Sequence, residues 1–263
     1  MTSSISVDRD GAIATVWLDR EAKRNALDAD TMKGFGAALD TLAEDNAVHV
    51  VVVRGRGSVF SSGIDHTLLM QVIGDSKRVP FLHVHHQLQD TFHRMSRMQK
   101  PVIAALHGVA VGMAFELALA ADIRVATADC VMGLPEIAFG IVPDVGGTTR
   151  LVRAVGESRA RDLVLTGRLV RGRTAHAWGL VHDVVEADAL DRTVRARAEA
   201  IARHPPVAVG LAKTLCGLSA NTDDATSFRL EGVIQQTLFG QSDLAARFPG
   251  ALAFIKDQIA RAE

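Results

Sequence analysis

Residues 102–121 read VIAALHGVAVGMAFELALAA. The run has the length and apolar character of a membrane span, but His107, Gly108, Gly112 and Glu116 interrupt it, so it reads as buried core. Its first residues, Val102–Leu106, read as a strand covered on both faces. The chain then turns through His107-Gly108 into a helix-like run over Gly112–Ala121. Glu116 stands in the first turn of that run. An acid there is ordinary, because it complements the positive end of the helix dipole. The stretch alone therefore sets a strand–turn–helix unit and leaves the role of Glu116 open.

Moving outward, Lys100-Pro101 ends a helical segment over residues 80–98. Val48–Arg54 is a β-branched run expected of a second buried strand. Asp28 can cap a helix reaching Glu44, with Met32, Phe35, Leu39 and Leu42 on one face. Asp10-Gly11 between Ile5–Val7 and Ile13–Leu18 marks a hairpin. Ile123–Ala126 and Val131–Leu134 read as short strands. Beyond about residue 146, the runs 151–155, 158–165, 173–178, 189–203, 207–218, 225–239 and 252–262 all favour helix. The chain is thus α/β, alternating strands and helices first and largely helical last. No low-complexity linker or sequence repeat divides it.

Composition narrows the function classes. The chain has 263 residues, 48% hydrophobic and 22% charged, with a net charge of −1. Nothing basic calls for nucleic acid or an anionic membrane. The two cysteines, Cys130 and Cys216, lack ligand or CxxC spacing and read as reduced thiols of a cytoplasmic protein. The N-terminus MTSSISVDRDG has no basic segment followed by an apolar run, so no signal peptide is expected. His83, His85, His86 and His93 crowd one segment, but no rigid carboxylate completes a metal site, and a solvated or pocket-lining helix is the better reading. P-loop, GxGxxG, GxSxG and HExxH patterns are absent.

Three segments carry chemistry. In Gly108–Glu116 a glycine-bearing turn enters a helix whose first amides lack internal acceptors. Residues three apart share a helix face, so the Met113 amide and the Glu116 carboxylate can address one pocket. In Phe60-Ser61-Ser62-Gly63-Ile64-Asp65, the backbone near Ile64 can supply a second amide; the competing reading is a tight turn with Asp65 capping a helix. In Leu134–Thr148, Glu136 lies in an apolar stretch, and Asp144 follows eight residues later as either a catalyst or a helix cap.

With these segments the chain resembles the enoyl-CoA hydratase/isomerase, or crotonase, superfamily nearly end to end. Lys23-Arg24-Asn25-Ala26-Leu27, Lys100–Ala105, Leu165-Thr166-Gly167-Arg168 and Gly179-Leu180-Val181 also match its pattern. The resemblance implies a crotonase-like spiral of ββα turns over 1–195 with the acyl-CoA site, and a helical oligomerisation region over 196–263. It implies a homotrimer or homohexamer acting on an acyl-CoA thioester. No cofactor is implied beyond coenzyme A, itself part of the substrate. The Ile64 and Met113 amides are expected to bind the thioester oxygen, each donor worth roughly 3 kcal/mol in the transition state. Glu116 and Glu136 take the places of the two carboxylates that hold the added water, one accepting a proton and the other donating or orienting. Burial is expected to raise the pKa of one of them. Lys23, Arg24, Ala26, Ser62, Asp65, His66 and Lys256 correspond to coenzyme A contacts, and residues 66–98 shape the acyl pocket.

Three departures bear on the reaction. Met113 replaces a glycine of the family pattern, which narrows the pocket and adds strain if the position needs positive φ. Asp144 stands where plain hydratases often have glycine and dienoyl-CoA isomerases have an aspartate. Phe254-Ile255-Lys256 follows the family ending loosely. The first reading is an enoyl-CoA hydratase. The others are an isomerase shuttling a proton between Glu136 and Asp144, and a non-catalytic acyl-CoA binder.

Overall fold

The computed structural model describes residues 4–75, 81–241 and 244–262. Two compact units are present, Met1–Gly210 and Leu211–Glu263.

The first unit opens with β1 (Ile5–Asp10) and β2 (Ile13–Leu18), the antiparallel hairpin expected around Asp10-Gly11. Helix α1 (Ala29–Glu44) follows, capped by Asp28, whose carboxylate accepts the Thr31 amide. Then come β3 (Val50–Gly55), α2 (His66–Asp75), α3 (Phe81–Arg97), β4 (Val102–Leu106), β5 (Val109–Val111) and α4 (Met113–Ala120). The remaining elements are β6 (Ile123–Thr127), β7 (Val131–Gly133), α5 (Gly147–Thr166), β8 (Val170–Arg171), α6 (Gly172–Ala177), β9 (Asp183–Val185), α7 (Leu190–Ala202), α8 (Pro206–Ser219), α9 (Asp224–Phe239) and α10 (Leu244–Ala262). Residue 80 and the His83 side chain fall outside the described residues.

Six strands form the larger sheet in the order β1-β2-β3-β4-β6-β9, parallel from β2 onward, and β5-β7-β8 form a smaller one. Each turn of chain leaves a strand of the larger sheet, crosses to the second layer and returns through a helix. β4 leads to β5 and α4, and β6 leads to β7 and α5. β3 leads to Ser61, which bridges Ala110 of β5, and β2 leads to Leu27, which bridges Ile64. This is a ββα spiral whose second strand shrinks to one to three residues. Val50 and Val52 face a core built with Leu190, Val194 and Ala198 of α7, whereas Val51 and Val53 face the main core, which explains the unbroken β-branched run.

Two expectations are corrected, and residues 66–75 form α2, a helix that the capping reading of Asp65 allows. The chain does not pass from Gly108 directly into helix, since β5 intervenes. Helix α10 begins at Leu244, ahead of the expected residue 252. In the second unit, Asp223 caps α9 through the Thr226 amide and hydroxyl, at 3.0 and 2.8 Å. Phe228, Val233, Phe239, Phe248, Leu252 and Ile255 there are exposed.

Candidate active site

Hydrogen bonds fix the loop after β3 on two sides. Phe60 and Ser61 donate their amides to His107 and Val109 carbonyls, at 2.9 and 3.0 Å. On the other side, Leu27 donates to the Gly63 carbonyl at 2.8 Å, and Asp65 donates to that of Leu27 at 2.9 Å. A parallel bridge that uses the flanking groups of residues 63 and 65 turns the Ile64 amide the opposite way. Gly63 has φ +92°, and a β-carbon there would stand 2.6 Å from the Val111 carbonyl oxygen and 3.7 Å from the Met113 nitrogen. Only glycine lets the loop lie against the start of α4. Met113 is the first residue of that helix, so its amide has no intrahelical acceptor. Among the described residues, neither the Ile64 nor the Met113 amide has a hydrogen-bond acceptor. The expected strain at Met113 is absent, because its φ is not positive; Gly112 takes that conformation instead, and the Met113 side chain is buried in the core.

Glu116 is 1% exposed. Its two oxygens accept the Val145 amide at 3.1 Å and the Gly147 amide at 3.2 Å. Burial, then the neighbouring Glu136 and Asp144, push its carboxyl up to about 8 against the pull of those amides. Glu136 begins the 3-10 turn Glu136–Phe139 after β7. Burial pushes it up to about 7, with Asp144 adding to the rise. A β-carbon on Gly112 would stand 3.1 Å from Glu136 Oε1, and among the described residues the buried Oε2 has no partner. Two acids in one field lose their protons in linked steps that belong to the pair, and both hold their protons to higher pH than a free carboxyl does.

Asp144 joins this field and does not cap α5: the capping position is Gly146, with no side-chain bond. Burial raises its pKa, and the adjacent His85 pulls it back. The loop is braced from α3, where His85 Nε2 and Gln89 Nε2 lie 2.6 and 2.8 Å from the Asp144 carbonyl oxygen. Arg150 braces it from α5, donating to the Val145 carbonyl at 3.1 Å.

The expected coenzyme A contacts divide. Ser62 donates its amide to Arg24 at 3.0 Å, which brings 23–26 beside 62–66. Lys23, Arg24 and His66 are exposed, Ser62 is half-buried and Ala26 is buried. The Asp65 carboxylate is engaged by Arg20 at 3.1 Å and by the Thr67 amide at 2.9 Å, which caps α2. Lys256 lies on α10 in the second unit. Sequence reasoning passed over Asn25, which ties the two loops together. Its Oδ1 accepts the Arg20 amide at 3.0 Å, and its Nδ2 donates to Arg56 and Val59 carbonyls at 2.8 and 2.9 Å. Arg24 and Asn25 both have positive φ, an uncommon pair outside glycine. Gln89 was also passed over, and His85 was read only as part of a solvated or pocket-lining helix; the two share a helix face. Among the described residues no three His, Cys, Asp or Glu gather as a metal site, and no helix is long and apolar enough to cross a membrane.

The enoyl-CoA hydratase/isomerase family model matches residues 8–257. A short-chain-enoyl-CoA hydratase of Clostridium acetobutylicum is 32% identical over 233 residues, 87% of each chain. The 2,3-dehydroadipyl-CoA hydratase of Escherichia coli is 35% identical over 211 residues, 80% of each chain. Among solved structures, an enoyl-CoA hydratase from Bacillus anthracis superposes with a TM-score of 0.88 at 31% identity, covering 97% of this chain and 96% of that one.

Proposed function

The chain belongs to the enoyl-CoA hydratase/isomerase family, and from that premise we propose that it is an enoyl-CoA hydratase adding water to a 2-enoyl-CoA. The observation that carries the reading is the Glu116–Glu136 pair: two adjacent acids, one held by loop amides and one presenting a buried unpartnered oxygen. In the proposed step, the Ile64 and Met113 amides stabilise the enolate oxygen. The ionised member of the pair takes a proton from water as its oxygen bonds to Cβ. The protonated member delivers its proton to Cα, and the pair again holds one proton.

Lys23, Arg24, Ala26, Ser62 and His66 are proposed to contact coenzyme A, while Asp65 contributes by shaping the loop through Arg20. Assembly as a homotrimer or homohexamer is proposed on the exposed Phe228, Val233, Phe239 and Phe248, since large apolar patches on one chain mark contact sites. A cytoplasmic location is proposed from the two free cysteines.

One observation favours a second reading. Asp144 shares the field of both glutamates and caps no helix, which suits a proton shuttle with Glu136 in an enoyl- or dienoyl-CoA isomerase. Incubation of 2-enoyl- and 3,5-dienoyl-CoA substrates in H2-18O separates the two. A hydratase yields 3-hydroxyacyl-CoA carrying the label. Double-bond migration without label would replace the first reading by the second.

A further inference from the structure

We propose that His85 and Gln89 of α3 are positioning residues for Glu116, acting through the single peptide group between Asp144 and Val145. The inference rests on the proposed role of Glu116 and extends it. The carbonyl of Asp144 and the amide of Val145 are two ends of one conjugated unit. Its oxygen takes hydrogen bonds from His85 Nε2 at 2.6 Å and Gln89 Nε2 at 2.8 Å. Its N–H, on the opposite side, donates to Glu116 Oε2 at 3.1 Å. A carbonyl can only accept, so His85 carries its proton on Nε2. Two donors on the oxygen draw electron density through the amide and make its N–H a stronger donor.

The same contacts fix the plane of the peptide group, and with it the direction in which Val145 addresses Glu116. The bonds join residues 59 and 55 positions apart, so neither is local to the loop. The Asp144 carboxylate lies 3.7 Å from the same imidazole nitrogen, which places His85 against both the carbonyl and the side chain. Glu116 is faced by Glu136 from the 3-10 turn, by Asp144 from the loop and by Arg150 from α5. His85 faces Asp144 from α3, and His93 on the same helix faces Arg150. The Gly147 amide holds the second Glu116 oxygen independently. Loss of the α3 donors therefore weakens one of two restraints on Glu116 and leaves Glu136, Asp144 and Arg150 facing it.

The test is a 13C titration of full-length protein labelled at the glutamate carboxyl carbon, with the Glu116 resonance identified by its loss in Glu116→Gln. In His85→Leu/Gln89→Leu the Glu116 midpoint is expected to move up by about half a unit, a threefold change in ionisation. His85→Gln, which keeps a donor, is expected to titrate close to the parent. A folded double variant whose Glu116 titration superimposes on that of the parent would overturn the proposal. If the double variant does not fold, His85→Leu against His85→Gln carries the comparison, and identical titrations overturn it. The readout needs no turnover, so it stays informative if the parent proves not to hydrate enoyl-CoA, a result that would count against the functional reading alone.

Discussion

A β-carbon placed on Gly147 would stand 2.4 Å from Glu116 Oε1, so the first residue of α5 leaves no room for a side chain beside the buried acid of α4. Gly147→Ala is expected to displace Glu116 while the fold persists. A misplacement of this kind costs about 100-fold in kcat, and overpacking costs about 1–3 kcal/mol of stability. Steady-state hydration and urea unfolding check both. An alanine variant with the parent's kcat would separate the Glu116 position from catalysis.

The raised carboxyls give stability a definite pH dependence. Glu116 ionises near 4.5 in an ordinary setting and near 8 in the folded chain. Both states are protonated below pH 4.5, so the Glu116 contribution is fully present there. It is lost as pH rises toward 8, because the unfolded chain releases the proton first. Glu116→Gln is expected to flatten this decline, removing on the order of 3 kcal/mol of pH-dependent loss. Urea midpoints between pH 5 and 8 measure it, and an unchanged slope would mean that Glu116 titrates normally.

Asp144→Asn removes a charge that raises both glutamates. The limbs of the kcat/KM profile are expected to move to lower pH, with hydration kept within about tenfold. Any isomerisation of a 3,5-dienoyl-CoA is expected to disappear. If that isomerisation continues unchanged, the proton-shuttle reading fails.

Asn25 combines positive φ with three side-chain hydrogen bonds spanning two loops. Asn25→Ala is expected to cost about 3 kcal/mol, from lost bonds and a left-handed backbone that alanine disfavours. Urea unfolding measures the cost. Asn25→Ala with parental stability would show that other contacts hold the loop.

Much of this molecule is legible in its sequence, and the illegible parts share a cause. The hairpin, α1, β3 and β4 declare themselves through local signals: a turn dipeptide, a cap, a periodic face, a β-branched run. β5 is three residues long, and the bridges at Leu27 and Ser61 are single residues, too short for any periodicity. The repeated ββα turn therefore leaves no sequence repeat. At the site, Glu116 and Glu136 stand out as acids in apolar stretches. Asn25, His85 and Gln89 do not, because their partners are mostly backbone atoms that, the nearby Arg20 amide apart, lie 31 to 59 positions away. The status of Asp144 as a cap or a free acid turned on where α5 begins: it begins at Gly147, so Gly146 and not Asp144 takes the capping position.

The central claim is that Glu116 and Glu136 act as one proton-carrying unit on an enoyl-CoA. It is tested most directly by the loss of enoyl absorbance of crotonyl-CoA with the parent, Glu116→Gln, Glu136→Gln and the double variant. The expected result is turnover by the parent, a fall of at least about 1,000-fold in each single variant, and a double variant no worse than the poorer single, as for residues that work together. Absence of turnover by the parent across several acyl lengths, or turnover that survives in the double variant, would contradict it.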